Sequence, residues 1–144
     1  MAIAVLALFA TMMLVIGAIR RQIQLRSTGD SGNRRTWRPD GSLEWWALTG
    51  TDLGYLTVGV GAPLADLVGL APLATLDQPI VHGLGIAVAA LGIVLALAAQ
   101  LSLGASWRIG IDEAERTDLV TTGAFRVLRN PIFAAVIVTF LAWR

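Results

Sequence analysis

An all-α fold, a polytopic transmembrane helix bundle with three full spans and a fourth, short C-terminal helix, is what this sequence of 144 residues predicts. Three observations lead there. Hydrophobic residues make up 56% of the chain and charged residues 15%, with a mean hydropathy of +0.69, which is not the make-up of a water-soluble domain. The apolar residues are gathered into four blocks. The arginines are segregated, since all but Arg144 follow either the first block or the third.

Residues 2–19 are the first expected span, because a bilayer core of about 30 Å needs about 20 helical residues. No charge precedes this run, and it is longer than the apolar core of about 7–15 residues in a cleaved leader, so it reads as an uncleaved anchor. Segment 20–45 follows with Arg20, Arg21, Arg26, Arg34, Arg35 and Arg38. Its stretch Ser27 to Asn33 reads as a hinge, and Trp45 and Trp46 suit the headgroup interface. The second span, 46–71, holds Gly54, Gly59, Gly61 and Pro63. A GxGxxG loop is not completed, as Leu64 stands in the third glycine place, and these residues read as close packing and a kink. Of Asp52 and Asp66 one is expected at membrane depth unless Pro63 brings Asp66 to the outer interface.

The third span, 80–103, carries a small-residue stripe of Gly85, Ala89, Gly92 and Ala96 for helix contact, and His82 near its start reads as interfacial. Segment 104–130 follows. The fourth apolar run, 131–143, covers only about 20 Å at about 1.5 Å per residue, about 10 Å short of a bilayer core. By the positive-inside rule the arginine-rich segments 20–45 and 104–130 are cytoplasmic and the N-terminus is outside. The expected location is the inner membrane of a bacterium.

Composition also excludes. Without cysteine, and with one histidine, neither disulfides nor a protein-ligated zinc are expected, and a net charge of +1 gives no reason for a nucleic-acid partner. The chemistry is expected between Gly104 and Ala135, the polar segment between two apolar runs. It has a small-residue turn at Gly104 and Ala105, an interfacial Trp107 and a charge cluster from Asp112 to Arg116 that reads as a solvated face with Asp112 or Glu113 beside Arg116. A second turn at Thr121 to Gly123 follows, and then Arg126 and Arg129 immediately before a helix start, where backbone N–H groups and the helix dipole favour an anionic group.

Gly123, Phe125, Arg129, Asn130, Pro131 and Phe133, with Trp107 and Arg108 upstream, occupy the places of a Gly-x-(Tyr/Phe)-x-x-x-Arg-His-Pro-x-Tyr-x-Gly pattern. In this the chain resembles the isoprenylcysteine carboxyl methyltransferase and phospholipid methyltransferase families of integral membrane enzymes. Asn130, Phe133 and Ala135 stand where those families have histidine, tyrosine and glycine. The resemblance implies S-adenosylmethionine as cofactor, held at Gly123, Phe125, Arg126, Arg129, Asn130, Pro131 and Phe133. It also implies methyl transfer to a membrane lipid or other lipophilic acceptor bearing a carboxylate, amine or thiol. It further implies a C-terminal segment with paired glutamates and an arginine, so that little transfer is expected of residues 1–144 alone. Two other readings are a non-catalytic small membrane subunit or degenerate family member, and an NADPH-dependent reductase of the steroid-reductase type; under each of them the small-residue helix faces are open to homo- or hetero-oligomers.

Overall fold

The computed structural model describes residues 1–70, 77–112, 115–116 and 119–142. α1 (Ala2–Thr28) is one continuous helix, α-helical at both ends and π-helical over Met13–Ile19. It continues past Ile19, where the first span was expected to give way to a loop. Charge ends a favourable lipid contact but not a helix, and arginine is a good helix former. What stops α1 is Gly29, left-handed at φ 74°, whose N–H closes on Leu25 O at 2.9 Å.

α2 (Leu43–Leu56) opens on Ser42, whose hydroxyl accepts from Trp45 N–H at 3.0 Å. It runs through a π turn (Thr57–Gly61) into α3 (Ala62–Leu67), with Pro63 in the first turn of the latter, where a missing N–H costs least. α4 (Pro79–Ser102) and α5 (Pro131–Leu141) also begin on prolines. Short 3-10 turns lie at Gly104–Ser106 and Gly123–Arg126. Among the described residues there is no strand, only an isolated parallel bridge between Asn33 and Ile109.

α1 and α4 are long and apolar enough to cross a membrane. Their most apolar windows are only 28% and 22% buried, whereas the core helix of a water-soluble domain hides its apolar surface. The second expected span is helical from 43 to 67, but Thr49, Thr51, Asp52 and Asp66 dilute it, and it does not reach that length and apolarity together. Of the three full spans expected, two therefore have both. The fourth run is helical over Pro131–Leu141, and residue 143 lies outside the described residues.

The helices share one core. Val5, Phe9, Met12 and Ile16 of α1 meet Ala89, Ile93 and Ala96 of α4 and Ala135 and Val136 of α5. Of the small residues expected to pack, Gly59, Ala89, Gly92 and Ala96 are buried inside this chain, whereas Gly54 and Gly61 are exposed. A Cβ on Gly59 would stand 2.3 Å from the Phe9 ring, and one on Gly92 would stand 2.2 Å from Thr139 Oγ1. Thus Ala89, Gly92 and Ala96 seat α5 on α4. Tyr55 and Phe140 bring the last turn of α2 onto α5, with ring centroids 5.2 Å apart. Asp66 lies at the end of α3 and accepts from Ala2 N–H at 3.2 Å, so it caps the start of α1.

Candidate functional site

Where α4 ends and the turn Gly104–Ser106 follows, α1 supplies side-chain donors to their carbonyls, which have few N–H partners of their own. Arg20 Nε donates to Gln100 O at 3.3 Å and Nη2 to Gly104 O at 2.9 Å, while Gln24 Nε2 donates to Ala105 O at 3.0 Å. In return Gln100 Nε2 donates to Ile16 O at 3.0 Å, within the π-helical stretch. The Arg20 guanidinium also lies 4.7 Å from the Trp107 ring. A cation is favoured at a helix C-terminus, which gives Arg20 a reason to be 1% exposed. One expectation is corrected here, since Arg20 lies on a helix and not in a loop, and Trp107, 2% exposed, is buried within the protein.

The two arginine-rich segments are joined. Arg34 N–H donates to Ile109 O at 2.7 Å and Ile109 N–H to Gly32 O at 2.8 Å. Around this bridge Arg34 pairs with both Asp30 and Glu115, and Arg108 Nε donates to Glu115 Oε2 at 3.1 Å. Ile111 N–H donates to Glu44 Oε1 at 2.6 Å. Arg35 pairs with Asp52 at 2.6 Å and covers the Trp37 ring at 4.2 Å, so Asp52 is spent on an ion pair. Gly110, at φ 85°, is needed for the close approach, since a Cβ there would stand 2.9 Å from Arg35 N. Within the expected charge cluster the carboxylate that reaches across is Glu115, and Glu113 lies outside the described residues.

Hydrogen bonds from Arg34 hold the Asp30 carboxyl well below the usual carboxylate range, and those from Arg34 and Arg108 lower that of Glu115. A depressed carboxyl pKa means that the docked state binds fewer protons than the unfolded chain, so its contribution is fully present above the unfolded value and is lost as pH falls through the folded one. Spin labels at Ser31 and Asp112 should therefore keep their separation from neutral pH down to about pH 4, the ordinary carboxylate range, and move apart below it. Separation beginning near neutral pH would contradict this.

The residues expected at a cofactor run from the turn Gly123–Arg126 to the first turn of α5. Gly123 opens the turn Gly123–Arg126 at φ 59°, and a Cβ there would stand 3.4 Å from Ser102 Oγ. Phe125 is half-buried, and Arg126, Arg129 and Asn130 are exposed. No carboxylate among the described residues pairs with either arginine. Asn130 precedes α5 without a side-chain cap, and its carbonyl accepts from Ala134 N–H at 3.1 Å. Pro131 turns inward and is buried, whereas Phe133 is 55% exposed on an outward stripe with Ile137 and Leu141. The arrangement is thus an exposed cationic edge above an apolar helix face. A separate groove of about 400 Å³, lined by Val81, Leu84, Gly85, Val88, Val138 and Leu141 among others, lies toward the opposite end of α4 and α5 and meets this arrangement only at Leu141, the far end of the outward stripe.

Arg126 and Arg129 were legible in the sequence because they adjoin a proline-marked helix start. Arg20, Gln24, Gln100 and the Asp30–Arg34–Glu115–Arg108 cluster were not, their partners being distant along the chain. A weak signal did exist: Gln24 follows Arg20 by one helical turn and Gln100 closes an otherwise apolar run. No protein-family model, curated protein or solved structure matches the chain.

Proposed function

We propose that this protein is an integral membrane methyltransferase that takes S-adenosylmethionine at the edge formed by Gly123, Phe125, Arg126, Arg129, Asn130, Pro131 and Phe133. The observation that supports this reading is the pair of exposed arginines, Arg126 and Arg129, left without a carboxylate partner among the described residues beside the start of α5. Arg34, Arg35 and Arg108, by contrast, are all paired. A guanidinium is suited to a carboxylate by its planar fork, and the amino-acid end of the cofactor offers one. Gly123, with no side chain toward Ser102, leaves room there, and backbone groups of 129–131 are available to the adenine.

Bound there, the cofactor supplies a methyl group on a sulfonium, open to attack by a lipophilic nucleophile. The chain's own part is to hold and align, since positioning and the exclusion of water lower the barrier of such a displacement. Phe133 and the outward face of α5 offer an apolar approach from the bilayer. Asn130 cannot titrate, so it holds by hydrogen bonds and moves no proton. The arginine-rich segments then face the cytoplasm, and the helical stretch 43–67 serves as a third span.

Calorimetry in lipid nanodiscs tests this. S-adenosylmethionine should bind, and Arg129→Ala should weaken it by about 1.5–3 kcal/mol, the worth of one charge-assisted hydrogen bond, or about tenfold to a hundredfold. Arg116→Ala should have little effect. Equal losses from the two substitutions would remove the site, and tighter binding of NADPH would replace the reading with a reductase.

A further inference from the structure

We propose that residues 30–40 form a lid, hinged at Gly29 and Gly41, that an ion-pair latch holds closed over the Trp107–Arg20 stack. This goes beyond the cofactor reading and does not depend on it. Both hinge glycines have φ 74°, with nothing within 4 Å of where a Cβ would stand, so neither end of the segment is wedged. Between them the lid meets the rest of the protein at Trp107, Ile109, Gly110, Glu115 and Asp52. Its backbone rests on the indole at Gly32, where a Cβ would stand 2.8 Å from Trp107 Cε3. Its peptide groups exchange two hydrogen bonds with Ile109, and Arg34 joins it to Glu115. Arg35 fastens its other side to Asp52.

The closed position carries a cost that an open one relieves. Arg35 Nε in the lid is buried without a hydrogen-bond partner, and a buried polar group of this kind is unfavourable until water reaches it. Against this stand the ion pairs that cross from the lid to the rest of the protein, Arg34–Glu115, Asp30–Arg108 and Arg35–Asp52, whose side chains are 11–45% exposed. Partly exposed pairs of this kind are weakened by salt. A lid held by screenable charges and opposed by an unsatisfied polar atom is a two-state element. No apolar core has to be broken to move it, because Val5, Phe9, Met12, Ile93 and Val136 lie elsewhere.

Hydrogen exchange of the whole chain in nanodiscs reads the lid directly. Glu115→Gln should speed exchange of the Arg34 and Ile109 amides together, by tenfold or more, with the Ile93 amide of α4 unchanged. Raising salt from about 0.1 M to about 1 M, which shortens the Debye length from about 10 Å to about 3 Å, should do the same to the unaltered chain. The chain has no cysteine, so an Asn33→Cys/Ile109→Cys disulfide across the bridged pair should restore slow exchange in high salt. The lid is overturned by any of three results: no change in exchange with either treatment, faster exchange at Arg34 without Ile109, or an equal rise at Ile93, which would mean loosening of the bundle.

Discussion

Replacing Arg20 with methionine is expected to destabilise the folded bundle by about 3 kcal/mol, because one buried and one part-buried carbonyl lose charged donors worth about 1.5–3 kcal/mol each. Methionine keeps much of the apolar stem, so the change removes chiefly the head group. Gln100 O and Gly104 O would be left at the end of α4 with no partner from α1, and Trp107 would lose the cation over its ring. Neighbouring Arg21 is the control. It is exposed, and Arg21→Met should stay within about 0.5 kcal/mol, as surface substitutions do. Reversible unfolding in mixed micelles compares the two. Similar losses, or none from Arg20→Met, would show that the buried guanidinium does not hold α1 to α4.

Gly92→Val is expected to cost about 1–3 kcal/mol by overpacking. Its Cβ would fall 2.2 Å from Thr139 Oγ1 and 3.0 Å from Ala135 O. A side chain can turn away from such a contact, but the Ala135 carbonyl belongs to the backbone of α5, so α5 itself must move. Since α5 begins beside Arg129 and Asn130, the same substitution should weaken cofactor binding without touching the proposed site. Gly83→Val, on the same helix with nothing within 4 Å, should leave both unfolding and binding nearly unchanged. If Gly92→Val were as mild as Gly83→Val, the close seating of α5 on α4 would be wrong.

The helices were readable because each has a local cause. Apolar blocks, Pro79 and Pro131 at helix starts and Ser42 before Leu43 act over a few residues, and the observed bounds Leu43, Pro79 and Pro131 lie close to those expected at 46, 80 and 131. α1 departed most. Its loss of apolar character at Arg20 was read as its end, yet the backbone continued to Thr28 because only Gly29 breaks the hydrogen-bond ladder. The candidate edge at Gly123 to Phe133 was readable for the same local reason.

By itself, then, the sequence determined the all-helical class, the two helices apolar enough to cross a membrane, and the cationic edge before α5, since each depends on residues within a few turns of one another. Tertiary structure alone decided that Arg20 is buried at the end of α4, that Gly92 lies on Thr139, and that Arg34 meets Glu115. Those partners stand dozens of residues apart, in segments whose composition alone allows each charge many equally good partners or none. Only when α1 and α4 pack side by side are the ends of both arginine-rich segments brought within hydrogen-bond reach, and a choice that charge left open is then made by distance.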